Sequence, residues 1–540
     1  VSVSPDSSPP ADGSRPGRPA ASRDAEIARK VAAAVQAADY GTLSRVVRDG
    51  WFPLLRSHGD LLRRQLDSIP PSALRMYPLL TMMLGICYNG VPHRRVKALR
   101  HFATAVRAAR SGRREVDAVD RALILVSESA AYRLVGRPAM GVGAARAALA
   151  ALDALAEEDR RAVDQLPRVY AQAGISLYYG GRTDEALDAF AVGLAESPEG
   201  APSSGFANLS MSAGIHALDG RLDRANEYLG LARADVWSDE QRSMYPGTFY
   251  RVAEAVVALE RIDPPGARAQ LDAMVHDRRT IEHWVAIGTT EANIELFGGR
   301  PGDGLSGLDA LAALRGAEGR SAAARAALAP TRALLQLAMG NLDAATAILR
   351  RDAPAGPRRQ VGLARVALTL GRNGEALREL RSIAGVRQDA RSHAEALTVE
   401  AAALLRFSRS TRAEAVIDQL AGALRHSGQR AALALVPPPD LDGLVSALAE
   451  RGHAELTAGI PLRSVIPGYD PQVLLSEREV AVLALLMETG SASRIADELT
   501  VSVNTVKTQL RSIYRKLGVS SRDGAIAVAL DQHLLARRDG

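Results

Sequence analysis

Lys507, Thr508, Arg511 and Arg515 are spaced so that one face of a helix carries all four. Such a face offers cations to phosphates and hydrogen-bond donors to base edges. No acidic residue lies between Glu498 and Asp523, whereas Lys507, Arg511, Arg515, Lys516 and Arg522 all do. A cationic helix without neighbouring carboxylates repels itself until something anionic meets it. A solvated basic face on a small bundle is the plainer reading of one such helix, so the elements around it must decide. Of the 67 basic residues only Lys30, Lys97, Lys507 and Lys516 are lysines, and two of these fall in this interval.

The flanking residues read as four short helices. Ser476 with Glu479 three residues on forms a capping box. Val480, Leu483, Leu486 and Met487 then make one apolar face. Ser491 caps a second helix, Ala492 to Leu499, with Ile495, Ala496 and Leu499 inward. Thr500-Val501 is a short turn. Ser502 caps a third helix to about Leu517, whose core stripe is Val506, Leu510, Ile513 and Leu517. Gly518 ends it. Ser520 or Ser521 opens a fourth helix with Ala525, Ile526, Val528 and Leu530. Two short helices joined by a three-residue turn are a helix-turn-helix.

These residues resemble the LuxR-type DNA-binding domain over about 60 residues. The resemblance is carried by Leu475-Ser476-x-Arg478-Glu479, Ile495-Ala496-x-x-Leu499 and Ser502-Val503-Asn504-Thr505-Val506-Lys507-Thr508. Arg515-Lys516-Leu517-Gly518-Val519 and Ser521-Arg522 complete it. It implies double-stranded DNA as partner. Lys507, Thr508 and Arg511 would face base edges in the major groove, and Ser502, Asn504, Thr505, Tyr514, Arg515 and Lys516 would contact phosphates and set register. The fourth helix often pairs two copies in this family, which makes Ala525 and Val528 a candidate dimer surface; a monomer with a buried fourth helix is the alternative. The sequence departs from the family's habit at Ala492, Ser493 and Arg494, where Asn and an acid are usual, and at Gln509, where His is usual. Those sites bear on strength and target more than on fold.

Upstream, a different pattern recurs: Gly, four residues, Ala, three residues, then Phe or Leu. It appears as Gly181/Ala186/Phe190, Gly220/Ala225/Leu229, Gly340/Ala345/Leu349 and Gly371/Ala376/Leu380. Gly299/Gly304/Leu308 is a looser copy. Ala267/Leu271 belongs to another, with an insertion expected after Arg261-Ile262-Asp263. Glycine can end one helix in the left-handed conformation. Alanine then lets the next helix approach closely, and the large residue fills the space one turn on. Asp223 and Asn341 stand where a cap for the second helix belongs. The copy Ala173-Gly174, Leu177, Ala186, Phe190, Pro198 resembles a tetratricopeptide (TPR) repeat. Leu84-Gly85-Ile86-Cys87-Tyr88 with Ala98, Phe102 and Ala105 resembles another with one extra loop residue. Ordinary helical hairpins without true repeats remain the alternative. Leu66-Asp67-Ser68-Ile69-Pro70-Pro71-Ser72-Ala73-Leu74-Arg75-Met76-Tyr77-Pro78-Leu79-Leu80 is similar to the start of the helical region of large MalT-like LuxR regulators. Those usually carry an ATPase module upstream.

The expected fold is all-α, a TPR-like solenoid followed by a four-helix helix-turn-helix domain. The layout reads as a Pro/Ser/Gly-rich disordered tail (1–24), a helical array (25–430), terminal helices with a Pro-containing linker around Pro437-Pro438-Pro439 (431–470), and the C-terminal domain (471–540). The chain opens on Val, which fits either a fragment or a literally translated start codon. Likewise the ATPase module is either lost in this branch or missing from this front end.

Other chemistries find little support. No G-x-x-x-x-G-K-[ST] phosphate loop occurs. The single cysteine, Cys87, rules out an internal disulfide and a Cys-rich zinc site. The ten His residues are scattered; His93 and His101 have no carboxylate or thiol nearby in sequence, and His283-Trp284 reads as packing. No G-x-S-x-G elbow and no receiver-like strand–helix alternation stand out. No cofactor, no metal and no enzymatic activity are expected, and no apolar run reaches the ~20 residues of a membrane span. A cytoplasmic regulator follows, with a peptide, protein or small-molecule effector in the groove of the array and a homodimer on DNA. A TPR-like interaction scaffold with secondary DNA contact is the competing class.

Overall fold

The computed structural model describes residues 20–531, apart from 58, 90, 92–93, 112–115, 158–159, 161–162, 164, 198–204, 234–236, 276–281, 408–409, 469–474, 518 and 520. The tail to residue 19, His93, Pro198, Gly518, Ser520 and the side chains of Arg515, Lys516 and Leu530 therefore lie outside the described residues. Among those described, every regular element is helical and no strand occurs.

The glycine pattern marks helical hairpins, as its physics requires. Leu166–Tyr179 pairs with Thr183–Ala195, Ala322–Ala338 with Leu342–Arg351, and Pro357–Thr369 with Asn373–Arg381. At the three turns Gly181, Gly340 and Gly371 are left-handed, with φ of +77°, +79° and +72°. The following N–H reaches back five residues: Arg182 to the Leu177 carbonyl (2.9 Å), Asn341 to Gln336 (2.9 Å) and Arg372 to Ala367 (2.8 Å). This satisfies carbonyls that the helix end would otherwise leave open. Ala186, Ala345 and Ala376 are fully buried, with Phe190, Leu349 and Leu380 buried beside them. A Cβ on Gly174 would fall 2.4 Å from the Phe190 ring, so only glycine fits that crossing.

Two turns obey the rule without glycine. Ile262 stands five residues before Ala267 with φ +55°, and the Asp263 N–H donates to the Ala258 carbonyl (3.0 Å). The copy ending in Leu271 thus contains no inserted residue. Ala38, at φ +50°, stands in the same relation to the buried Leu43 and Val47. The recurring feature is a backbone conformation, which glycine adopts with least strain. Capping also varies. Asp263 accepts from the Gly266 N–H (2.9 Å). Asn341 does not cap its helix: its amide donates to the Gln336 side chain instead (2.9 Å).

The chain divides into two compact units. Among the described residues, one comprises those up to Ala217 with Arg224–Glu254 and Asp272–Trp284; the other comprises Leu218–Asp223, Ala255–Leu271 and those from Val285 onward. In both, arginines are met by carboxylates in pairs with at least one buried member. In the first, Arg133 lies 3.2 Å from Glu282, and Arg251 donates to Asp239 at 2.6 Å. His283 is buried there too, its Nδ1 2.7 Å from the Tyr179 hydroxyl and its ring edge-on to Phe249. In the second, Arg365 donates to Glu395 (2.6 Å), and Arg406 grips both oxygens of the buried Asp440 (2.7 and 2.6 Å). Charges this dry are tolerable only when paired and hydrogen-bonded.

The segment expected as terminal helices and linker is mostly packed. Pro437-Pro438-Pro439 opens a helix, Pro438–Glu450, rather than breaking one, because a missing N–H costs nothing in a first turn. Leu441, Leu444 and Leu448 join the core that begins at Val361. The Val465 N–H then donates to the Ala434 carbonyl (2.9 Å), and Ile466 is buried against Ala329, Leu337 and Val366. No described helix is long and apolar enough to cross a membrane.

Candidate nucleic-acid interface

The C-terminal helices are Glu477–Glu488, Ala492–Glu498, Val503–Leu517 and Arg522–Asp531. Their own core gathers Val482, Leu483 and Leu486 of the first helix and Ile495 and Ala496 of the second. Val506, Ile513 and Leu517 of the third and Ala525 and Ala529 of the fourth complete it. Leu499, Leu510 and Tyr514 pack on its rim. Val480 and Met487, expected on the inward face, are only half-buried; Val482 takes the buried place instead.

Local hydrogen bonds set each start. The Ser476 hydroxyl accepts from the Glu479 N–H (3.3 Å), and the Glu479 carboxylate accepts from the Ser476 N–H (2.7 Å). That same buried carboxylate accepts from the Ser512 hydroxyl (2.8 Å). Glu479 therefore caps the first helix and ties it to the third. The spacing revealed the cap; the bond to Ser512, 33 residues on, left no sequence signal. Ser491 accepts from the Arg494 N–H (3.4 Å), and Ser502 from the Thr505 N–H (3.1 Å).

Between the second and third helices Thr500 takes the left-handed conformation, φ +54°, and the Val501 N–H closes on the Ala496 carbonyl (3.0 Å). A β-branched residue there is strained, and glycine would be the local choice. Arg522, counted among the basic residues of the interval, is a structural clamp. Its Nε and Nη2 donate to the Leu486 carbonyl at 3.2 and 3.0 Å, fixing the fourth helix to the end of the first.

The third helix presents its cations outward. Asn504, Lys507, Thr508 and Arg511 are exposed, while Val506 and Ile513 on the opposite side are fully buried. Neither Lys507 nor Arg511 takes part in an ion pair among the described residues. The Thr508 hydroxyl donates to the Asn504 carbonyl (2.9 Å), which leaves its γ-methyl as an apolar contact group. Ser502 and Thr505 are exposed but bonded to one another through their hydroxyls (2.8 Å), so a phosphate would compete with the cap or share it. Tyr514 is half-buried on the core rim. Arg515 and Lys516 lie on the same helix, with side chains outside the described residues. Ala525, expected on a pairing surface, is instead fully buried in the domain's own core; Val528 is half-buried against it. Gln509 is half-buried, with its carbonyl oxygen buried and without a hydrogen-bond partner among the described residues.

Among the described residues no group of three or more His, Cys, Asp or Glu is placed to hold a metal ion. Burial pushes the Cys87 thiol up to about 11, far from the range of a reactive thiolate.

Comparison with known proteins bears on this domain. A family profile described as "Bacterial regulatory proteins, luxR family" matches residues 473–529. The "Transcriptional regulatory protein YdfI" of Bacillus subtilis (strain 168) is 43% identical over 61 residues, 11% of this chain and 29% of that protein. The "HTH-type transcriptional regulator MalT" of Yersinia pestis (strain Pestoides F) is 44% identical over 55 residues, 10% of this chain and 6% of that protein. The chain thus spans under a third of the first relative and a small fraction of the second. These likenesses coincide with the four-helix bundle and its exposed cationic helix. Residues 473–529 are a helix-turn-helix DNA-binding domain of the LuxR family.

Proposed function

We propose that the chain is a sequence-specific transcriptional regulator in which the helical array senses an effector and controls the C-terminal domain. The observation that carries the DNA-reading half is the third helix: Lys507, Thr508 and Arg511 are exposed on one side, without carboxylate partners for the two cations among the described residues, while the other side is locked into the core. On this reading those three residues meet base edges. Asn504, Arg515 and Lys516 hold phosphates, with Ser502, Thr505 and Tyr514 as nearby polar groups.

The effector half rests on the hairpins. TPR-like hairpin arrays present extended surfaces that suit a peptide, a protein or a small ligand. The likeness of residues 66–80 to MalT-like regulators points the same way. A homodimer on DNA would read an inverted repeat; with Ala525 buried, its contact would use Val528 and the exposed Ala527.

The test is a mobility shift with the full chain and with fragment 471–540 on random and genomic duplexes at low salt, followed by mapping of bound sites in cells. Bound promoters and retarded duplex support the reading. Absence of duplex binding by both proteins would leave an interaction scaffold.

A further inference from the structure

In the described part of the C-terminal domain, two large apolar side chains stand exposed. Val501 and Val503 are 43% and 39% exposed, and neither joins the domain's core. They flank Ser502, whose hydroxyl caps the third helix. Val501 belongs to the turn, where its N–H is committed to the Ala496 carbonyl. Val503 is the first residue of the helix itself, one turn ahead of Lys507 and on the same side.

A single exposed valine is ordinary on a protein surface. This one sits at the leading end of a helix whose next two turns carry exposed cations, unpaired among the described residues. The leading residues of a helix lying in the major groove are those that reach base edges. A branched aliphatic side chain there has no donor or acceptor. It cannot hold a phosphate or read a hydrogen-bonding pattern; it can only exclude water against another apolar group. The major groove offers one such group, the C5-methyl of thymine. Lys507 and Arg511 supply the attraction that would bring the duplex against it.

We propose that Val503 is a specificity-determining residue that reads the C5-methyl group of a thymine in the bound site. The proposal rests on the DNA-reading function given above. Thr508, whose hydroxyl is turned to the Asn504 carbonyl, is the competing methyl reader on the same helix.

The experiment uses the full chain. Duplexes are selected from a random pool, and the tightest is remade with each thymine in turn replaced by uracil, which deletes only the methyl. The wild-type chain is expected to lose about threefold to tenfold in affinity at one or more thymines. Val503→Ala should lose a similar factor on the thymine duplex and nothing further on the uracil duplex. Its binding to random duplex and its unfolding temperature should match wild type. Thr508→Ala should keep the methyl dependence at that position. The proposal is overturned if Val503→Ala responds to methyl deletion as wild type does, if Thr508→Ala alone abolishes the response, or if no thymine matters. Selection of no duplex at low salt would instead remove the DNA-reading function, and the proposal with it.

Discussion

The array and the C-terminal domain use the same charged residue in opposite ways. In the array Arg133, Arg251 and Arg365 are buried, Arg406 holds the buried Asp440, and each of the four is met by a carboxylate. On the third helix of the C-terminal domain Arg511 and Lys507 are exposed, and neither is paired among the described residues. Composition blurs this difference, because arginine is abundant throughout. Position resolves it: a cation already matched inside the fold holds helices together, and a row of unmatched cations on a rigid helix is available to a polyanion.

The contrast breaks first at the paired end. Arg406→Ala strands the buried Asp440 carboxylate and should cost the array about 3 kcal/mol, read as a lower first transition in calorimetry. At temperatures where the chain stays folded, affinity for duplex DNA should be unchanged. If DNA affinity fell in step with stability, the division of labour would be wrong.

Within the C-terminal domain the buried Glu479 carboxylate should matter next. Glu479→Ala removes the cap of the first helix and the bond from Ser512, at about 2 kcal/mol. Chemical denaturation of the full chain, followed by helicity, should show an earlier loss of this domain and a parallel loss of DNA binding.

The third helix makes a smaller and different prediction. Arg515→Ala should weaken all duplexes alike, by about 1 kcal/mol, and lower the slope of log affinity against log salt by about one. A loss confined to one duplex sequence would reassign it to base reading. Smallest of all, Thr500→Gly relieves a left-handed β-branched residue and should stabilise the domain by about 0.5 kcal/mol, leaving DNA affinity intact.

What could be read from the amino-acid string follows the range of the interactions. Capping boxes and helix stripes are local, so Ser476/Glu479, Ser491, Ser502 and the inward Val506 and Ile513 were all visible in it. The hairpin turns at Gly181, Gly340 and Gly371 were visible because glycine advertises a left-handed residue. Ile262, Ala38 and Thr500 adopt the same conformation without that signal, and none could be anticipated. Long-range partners were equally hidden. Nothing local marks Arg522 as a clamp on the Leu486 carbonyl, or Glu479 as the acceptor for Ser512. Ala525 was misplaced for a related reason: a small residue on a short helix carries little information about which face is closed. In the segment 431–470, expected as terminal helices and a linker, the leucines through Leu456 share the core that begins at Val361, with proline supplying a helix start.

The most direct test of the central claim compares two duplexes and one double variant. The full chain and Lys507→Ala/Arg511→Ala are titrated against the tightest selected duplex and against a scrambled duplex of equal length, at one fixed salt concentration. If these side chains read bases, the variant should lose about 10-fold to 100-fold more on the selected duplex than on the scrambled one. Equal losses on both, or none on either, would contradict the claim that this helix reads sequence.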